Sequence, residues 1–487
     1  MKTAAEYLES MKAYNPRIFL GGRQVNLHEN PTTLTVLRAN ARVYELSQEP
    51  DYADIMTAVS PYTGQKVSRN LHLAASTADL EKRAEMATLT SQMLGTCNYR
   101  CVGADVINAL AGVTWEMDRE LGTEYHARFL KHLKYLQEND LAVSGAVTDA
   151  KGDRSKRPAQ QEDRDVYVHV VEKKPDGIVV RGAKVSQSGA FAAHETIVIP
   201  TMGLREGEEN FALAFAVPNG AEGLTYICQY TPFTAERELA PDVKYLGNPL
   251  YGQRETCLMV FDNAFIPWEH VFMCGEVQYA GRLIARFAKT HRMNCGGACK
   301  VGFADLIIGA AQLAAEYSGV QKAPHIIDKI TEMIRISETA RACTIAAALK
   351  GREEPAGSGF FQPDDIFGNA AKLTIADGFW EIMKWVGDIG GGMAVTMPSE
   401  LELENPATSS YVRKFMRASA PAEKRLRIAK FIQNWCAGLH GAGTWHGAGS
   451  PMAQKMALYA LADLEKKKAL ARNLAGLKED YSTFSHR

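Results

Sequence analysis

The stretch from Thr290 to Gly302 reads THRMNCGGACKVG and gathers metal-binding side chains within a few positions. It contains His291, Cys295 and Cys299, and two glycines lie between the cysteines. Imidazole and thiolate are soft ligands, and thiolates favour zinc or iron–sulfur clusters. The stretch therefore predicts a metal or cluster site, and we interpret the rest of the chain around it.

A second pair of cysteines lies far upstream, where Cys97 and Cys101 occur in the sequence TCNYRCVG. Side chains four residues apart share one face of a helix, so both thiolates would point at the same ion or cluster. We therefore expect one site built from both stretches, with three cysteines and one histidine as ligands. The alternative is that these thiols are ordinary core residues, because free cysteine usually behaves as a small hydrophobe. We expect that behaviour of the remaining cysteines, which are Cys228, Cys257, Cys274, Cys343 and Cys436.

The composition restricts the class of protein. The chain has 487 residues, of which 46% are hydrophobic, so it can form two or three domains with a large core. Its formal net charge of −1 gives no electrostatic reason to expect nucleic acid or a membrane surface as a partner. No uninterrupted apolar run approaches the roughly 20 residues that span a bilayer. The charged N-terminus is unlike a signal peptide, so we expect a cytoplasmic protein.

Hydrophobic periodicity divides the chain into three regions and predicts an α+β fold. Residues 1–145 show mostly helical spacing and predict an N-terminal helical domain. Residues 146–275 contain short runs with period-two alternation, such as Phe211–Val217, which predict a central antiparallel β domain. Residues 276–487 return to helical spacing, with a strongly apolar segment over Val301–Tyr317, and predict a C-terminal helical bundle.

The order of helices, strands and bundle resembles the acyl-CoA dehydrogenase fold, and several motifs resemble the 4-hydroxyphenylacetate 3-hydroxylase superfamily. These motifs are TDAKGDRS at Thr148–Ser155, GIVVRGAK at Gly177–Lys184, FDNAFIP at Phe261–Pro267 and MPS at Met397–Ser399. Within the superfamily, the CxxxC pair and the cluster that ends in CKVG resemble the 4-hydroxybutyryl-CoA dehydratases. The superfamily's ordinary flavin hydroxylases lack the cluster cysteines. The resemblance runs from Tyr7 to Pro451.

This resemblance implies FAD and a [4Fe–4S] cluster in a homotetramer that binds an acyl-CoA. It assigns Cys97, Cys101, His291 and Cys299 as cluster ligands. In the family one residue fewer separates the histidine from the last cysteine. Cys295 is therefore the alternative fourth ligand, since it lies four residues from both His291 and Cys299 on a continuous helix.

The implied reaction removes water from 4-hydroxybutyryl-CoA to give crotonyl-CoA through a flavin radical, with vinylacetyl-CoA Δ-isomerisation as a second activity. The alternatives are a reduced-flavin-dependent aromatic hydroxylase of the 4-hydroxyphenylacetate 3-monooxygenase type and a non-enzymatic relative that keeps the cluster for structure. The resemblance makes His291 the base for C2, while Lys300 stabilises the enolate oxygen and Glu255 is catalytic. For Lys300 the alternative is a surface cation, and for Glu255 it is a solvated residue at a strand edge.

The residues expected to contact FAD are Asp149, Arg154, Gln187, Ser188, Gly390 and Gly391. The alternative for the first two is a structural salt bridge, and for the glycines it is a helix cap. No GxGxxG follows a strand, so the flavin expectation depends on the resemblance alone.

The chain departs from the family pattern mainly in groups that face the substrate. Cys295 stands where the family has a tyrosine, and Gly443 stands where it has a glutamate. Glu255 is one position away from the family's glutamate, and Ser188 replaces a threonine near the flavin. The cofactor scaffold is retained while several substrate-side groups differ.

Overall fold

The computed structural model describes residues 1–239 and 247–477. Its N-terminal part is mainly helical, as the spacing predicts. The helices are α1 Ala4–Met11, α2 Pro31–Gln48, α3 Ala53–Met56, α4 Thr77–Leu94, α5 Cys101–Leu121 and α6 Tyr125–Glu138. The short strands are β1 Ile18–Leu20, β2 Arg23–Val25, β3 Thr57–Val59 and β4 Lys66–Ser68. Ser76 caps α4 by accepting a hydrogen bond from the Asp79 backbone N–H, which fixes where this helix begins.

The central part of the chain forms two sheets. Its strands are β5 Val143–Ala146, β6 His169–Lys174, β7 Gly177–Ser188, β8 Glu195–Val198, β9 Leu213–Pro218, β10 Leu224–Cys228, β11 Thr256–Pro267 and β12 Val271–Cys274. Helix α7, Pro232–Leu239, follows β10. One sheet has the strand order β2-β1-β10-β11-β7-β6, and the other has the order β12-β9-β8-β5.

The purely antiparallel arrangement expected for residues 146–275 is corrected in two places. Strand β1 pairs in parallel with β10, and β5 pairs in parallel with β8. Because β1 and β2 come from the N-terminal region and β5 begins at Val143, the sheets also extend outside the predicted range. Local alternation in a sequence indicates a strand but carries no information about the direction of its partner.

The C-terminal part is helical. Its helices are α8 Val277–His291, α9 Cys299–Ser318, α10 Pro324–Leu349, α11 Asp365–Gly390, α12 Met393–Thr396, α13 Ser409–Phe415, α14 Ala422–Ala437, α15 Leu439–His446, α16 Pro451–Leu461 and α17 Leu464–Leu474. A two-stranded ribbon is formed by β13 Arg352–Glu353 and β14 Phe361–Gln362. The core of this part lies among α9, α10, α11 and α14.

A π-helical segment, Arg292–Ala298, joins α8 to α9 without a break. The Cys299 backbone N–H donates to the Asn294 carbonyl, five residues earlier, which is the π-helical pattern. A π-turn holds more residues than an α-turn, and here it carries the chain from His291 to Cys299 without interrupting the helix.

The continuous helix from Val277 to Ser318 is the one helix among the described residues that could cross a membrane by length and composition. Of its most apolar 18-residue segment, 61% is buried inside the protein. Burial against neighbouring helices accounts for its apolar composition, as in the core helix of a globular bundle.

Helix α5 approaches β5 unusually closely, and this contact positions the start of α5. A Cβ atom added at Gly103 would lie 2.3 Å from the Val143 carbonyl oxygen, and one at Gly145 would lie 2.7 Å from a Val102 methyl. Only glycines allow the two backbones to come this near. Cys101, the first residue of α5, is therefore held against the sheet.

We predict that Gly103→Ala destabilises the protein by about 1–3 kcal/mol, because the added methyl must push α5 away from β5. Gly309→Ala is the matched control, since Gly309 is exposed on α9 and nothing lies within 4 Å of its Cβ position. Alanine in a helix interior is favoured over glycine, so this control keeps or raises the melting temperature. Equal melting temperatures for the two variants would contradict the close contact.

Candidate metal centre and its surroundings

The structure brings five soft donors together from two distant parts of the chain. The thiol of Cys101 interacts with the thiols of Cys97 and Cys295, and Cys295 in turn interacts with Cys299. His291 contacts Cys295 as well. The ligand atoms of Cys101, His291 and Cys295 all lie within 4.8 Å of one another. All nine cysteines of the chain are free thiols.

Cys97 and Cys101 come together in a different way from the one that the sequence predicted. Cys97 and Cys101 were expected on one helix face, but α5 begins only at Cys101 and Cys97 lies in the preceding loop. Tyr99 has a φ of +59°, and the Asn98 side chain accepts hydrogen bonds from the backbone N–H groups of Arg100 and Cys101. This side-chain cap ends the loop and starts the helix, while the two thiols still meet.

A buried carboxylate fixes the orientation of His291. Its Nδ1 lies 2.8 Å from Asp105 Oδ2, and Asp105 Oδ1 accepts from Arg83 Nη2 and from Asn294 Nδ2, each at 2.9 Å. Because this carboxylate accepts the Nδ1 proton, Nε2 is directed towards the thiols. A histidine that binds a metal through one nitrogen normally donates the other N–H to a carboxylate or carbonyl.

Electrostatic contacts favour thiolates at the centre of the set. Hydrogen bonds from Cys101 and Cys299 hold the pKa of Cys295 well below its ordinary value, with help from the positive charge of Lys300. The hydrogen bond with Cys101 also lowers the pKa of Cys97, to about 7. Burial lowers the pKa of His291, but the charges of Cys295 and Asp105 outweigh it and raise that pKa to about 10. Thiolate is the form of cysteine that binds metal.

This donor set fits an iron–sulfur cubane better than a hard cation. Its members are thiols and one imidazole, without a carboxylate among the groups that face inward. A cubane takes four protein ligands, so one of the five donors is surplus. Cys295 lies nearer to Cys101 and His291, whereas Cys299 contacts Cys295 and the Ser91 hydroxyl.

Models of the N-terminal and C-terminal parts of 4-hydroxyphenylacetate 3-hydroxylase match residues 3–273 and 280–476 of this chain. The chain belongs to the 4-hydroxyphenylacetate 3-hydroxylase family. Its relatives include proteins with different activities. The 4-hydroxybutyryl-CoA dehydratase/vinylacetyl-CoA-Δ-isomerase of Clostridium aminobutyricum is 41% identical over 495 residues, which covers 98% of this chain and 100% of the relative.

Solved structures place the chain in the same family. An archaeal 4-hydroxybutyryl-CoA dehydratase from N. maritimus superposes with a TM-score of 0.94 at 35% identity, covering 100% of this chain and 97% of that chain. The oxygenase component of 4-hydroxyphenylacetate 3-monooxygenase complexed with FAD superposes with a TM-score of 0.82 at 25% identity, covering 97% and 98%. The fold of the family is thus shared by a dehydratase and a flavin-binding oxygenase.

Lys300 and Glu255 are both buried, so neither is the solvent-exposed residue that was considered as an alternative. Lys300 Nζ lies 3.6 Å from Cys295 Sγ and 3.8 Å from Cys299 Sγ. Burial opposes the charge on Lys300, yet the two thiols hold its pKa above the ordinary value. Burial raises the pKa of Glu255 to about 7, although Gln229 Nε2 donates to its carboxylate at 3.1 Å.

Tyr99, which the sequence reasoning missed, connects the cysteine loop to Glu255. Its hydroxyl accepts from the Glu255 backbone N–H at 3.3 Å and donates to the Gln253 carbonyl at 3.2 Å. Its ring packs on Gly189, where a Cβ would lie only 2.3 Å away. Gln187 and Ser188 end β7 immediately before this glycine. The position of Tyr99 between the two cysteines was the available signal.

The other residues predicted to contact FAD lie elsewhere. Asp149 is buried and accepts hydrogen bonds from Lys184 Nζ at 2.9 Å and from the Val168 N–H at 3.0 Å. It therefore forms a structural salt bridge, but its partner is Lys184 and not Arg154. Arg154 is exposed in a turn. Within the described ranges, neither residue contacts the cysteines or the histidine.

The two glycines predicted near FAD are at the end of α11. Gly390 is its last residue, and Gly391, with a φ of +62°, caps the helix by donating to the Gly387 carbonyl at 3.0 Å. The helix cap that was the alternative explanation is therefore present. Nothing lies within 4 Å of a Cβ at Gly391, which leaves that side open.

The raised pKa of Glu255 predicts a pH effect on stability. The folded state binds this proton more tightly than the unfolded state, so the free energy of unfolding falls as the pH rises from the ordinary carboxyl pKa to about 7. The loss amounts to about 3 kcal/mol. We expect Glu255→Gln to have a smaller difference in melting temperature between pH 5 and pH 8 than the unmodified protein.

Glu222→Gln is the control for this measurement, because Glu222 is exposed. It should retain the full difference between the two pH values. If Glu255→Gln and Glu222→Gln show the same difference, the buried carboxyl does not titrate near neutrality.

Proposed function

We propose that this protein is an iron–sulfur flavoprotein lyase that removes water from a 4-hydroxyacyl-CoA, with 4-hydroxybutyryl-CoA to crotonyl-CoA as the reference reaction. The hydroxyl leaves C4, C2 and C3 each lose a hydrogen, C4 gains one, and a 2-enoyl thioester and one water result. The observation that carries the proposal is the meeting of thiols and an imidazole in a chain 41% identical to a dehydratase of this activity. Vinylacetyl-CoA Δ-isomerisation is proposed as a second activity.

We propose that Cys97, Cys101, His291 and Cys299 hold a [4Fe–4S] cluster, with Cys295 as the alternative to Cys299. The first three are supported by contacts, and Cys299 by its place at the start of α9 beside Lys300. When bound, the flavin supplies one-electron chemistry for the unactivated C3 hydrogen and the cluster supplies a Lewis acid for the leaving oxygen. The imidazole is buried and the thiols are half-buried, so the site limits the access of bulk water to these groups.

The flavin is proposed to lie next to the cysteine loop, against the end of β7. Gln187 and Ser188 are the supporting residues, because Tyr99 links this strand end to Cys97. Asp149 and Arg154 would contribute to flavin binding by shaping the loop between β5 and β6. They would not contact the thiols or the imidazole. We propose that Gly390 and Gly391 are reached by the cofactor of a neighbouring copy in a homotetramer, since the space beside Gly391 is open.

Three side chains are proposed to act on the substrate. His291, held by Asp105, would act as the base for the C2 proton through Nε2 when that nitrogen is not bound to the cluster. Lys300 places a buried positive charge where an enolate oxygen would be stabilised. Glu255, with a pKa of about 7, can accept or donate a proton near neutral pH.

We also propose the domain arrangement and the location of the protein from its composition and fold. The helices, sheets and bundle would be arranged as in the acyl-CoA dehydrogenases, which suits an acyl-CoA substrate. The net charge of −1 gives no electrostatic basis for binding nucleic acid or a membrane, and we propose a cytoplasmic location.

A reduced-flavin-dependent hydroxylase is the second candidate, because a 4-hydroxyphenylacetate 3-monooxygenase oxygenase component from Thermus thermophilus is 28% identical over 99% of this chain. A hydroxylase requires flavin but no iron. Protein purified without oxygen should therefore be assayed for iron, sulfide and flavin, and then for turnover of 4-hydroxybutyryl-CoA.

We expect about four iron and four sulfide per chain, a brown colour with broad absorbance beneath the flavin bands, and formation of crotonyl-CoA. Flavin without iron, together with hydroxylation of a phenol and no crotonyl-CoA, would replace the lyase with the hydroxylase.

Cysteine variants test the ligand assignment by iron content. Cys97→Ala and Cys101→Ala should each lose iron and activity together, because each removes one thiolate from the cluster. Cys299→Ala should lose more iron than Cys295→Ala. The reverse order would transfer the fourth ligand to Cys295, and full iron content in both upstream variants would disprove the site. Cys343→Ala, outside the donor set, is the matched control.

A further inference from the structure

Arg254 occupies the space that a side chain at position 443 would need. A Cβ added at Gly443 would lie 1.9 Å from Arg254 Nη2 and 2.3 Å from its Cζ. The two groups therefore exclude each other, and the glycine is what admits the guanidinium.

The guanidinium of Arg254 lacks an anionic partner within the described residues. Its one hydrogen bond there is a long contact of 3.4 Å from Nη1 to the Gly443 carbonyl. Its Nε is buried and has no acceptor. Buried polar groups in native proteins are nearly always paired with protein, water or a ligand, so this Nε is available to an acceptor from outside the chain. Removing a charged group from water without a partner is also costly.

The nearby acid does not neutralise this charge. Glu255 follows Arg254 directly, but its carboxylate accepts from Gln229 and interacts with Arg237. The opposite charges of the site are the thiols, and Lys300 is the cation that contacts them, at 3.6 and 3.8 Å. Arg254 is thus a second positive charge in this part of the site, in addition to Lys300.

Arg254 faces the same region as the donor set. The Gly443 carbonyl that Arg254 contacts lies beside Lys300, because a Cβ at Gly447 would lie 2.7 Å from that carbonyl oxygen and 3.7 Å from Lys300 Nζ. The charge of Arg254 also acts on Cys97 and His440. His440 is buried and stacks on Trp435 with ring centroids 4.2 Å apart, so it forms an apolar wall rather than a counter-charge. A guanidinium in such a partly dry position binds carboxylate strongly, since its planar fork matches two oxygens.

We propose that the acyl chain of the substrate carries a carboxylate beyond the reacting carbons and that Arg254 binds it. The substrate class is then the CoA monothioester of a hydroxydicarboxylic acid, with 4-hydroxyglutaryl-CoA as the simplest case. This inference rests on the proposed function for the reaction, in which one water is lost and the added carboxylate is unchanged.

Binding of two unreactive thioesters of equal chain length tests the proposal. Glutaryl-CoA and pentanoyl-CoA differ in having a carboxylate or a methyl at the far end, and neither has a hydroxyl to lose. Calorimetry on the oxygen-free holoenzyme should show glutaryl-CoA binding at least about tenfold more tightly, as expected for a charge-assisted contact.

Three variants assign that preference to Arg254. Arg254→Gln should bind the two thioesters equally, with pentanoyl-CoA unaffected, while Arg254→Lys keeps part of the preference because it keeps the charge. Gly443→Ala retains the arginine but displaces it, and should also weaken glutaryl-CoA selectively. If Arg254→Gln does not fold, Gly443→Ala tests whether Arg254 binds the carboxylate.

Equal or weaker binding of glutaryl-CoA by the unmodified protein would overturn the inference, as would a preference that survives in Arg254→Gln. The outcome is separable from the proposed reaction. Selective binding without any water elimination from either hydroxyacyl-CoA would reject the lyase and keep the carboxylate site. Turnover of 4-hydroxybutyryl-CoA without selective binding would support the lyase and reject the carboxylate site.

Discussion

The hydrogen bond between Asp105 and His291 is the interaction on which the site depends. Asp105 lies one helical turn beyond Cys101 on α5, and His291 is the last residue of α8. The bond therefore joins the helix that begins at Cys101 to the helix that leads to the downstream thiols. Arg83 and Asn294 complete the carboxylate's hydrogen bonds, so its buried charge is fully paired.

The π-helical turn solves a second geometric problem. His291 and Cys299 lie on either side of this wider turn in one continuous helix. A break in the helix would release α9, whose apolar side chains form the core of the C-terminal bundle. Wider turns of this kind occur mostly at functional sites, which agrees with the position of this one at the donors.

The sequence predicted the convergence of the two stretches because their chemistry is specific, whereas it could not predict how the convergence is achieved. The spacing of Cys97 and Cys101 suggested one helix face, but local capping by Asn98 placed Cys97 in a loop. Short-range periodicity also missed the parallel strand pairs, which depend on distant partners. The contact between Arg254 and Gly443 was inaccessible for the same reason, since nothing in either local sequence indicates the other.

The account requires that an inorganic centre lies between residues of α5 and of the segment that joins α8 to α9. The most direct measurement is a crystal structure of protein purified without oxygen, with anomalous diffraction data collected at the iron edge. We predict a single compact group of iron peaks in contact with Cys97, Cys101 and His291. The absence of iron between these residues, with the thiols still protonated and in contact, would contradict the account.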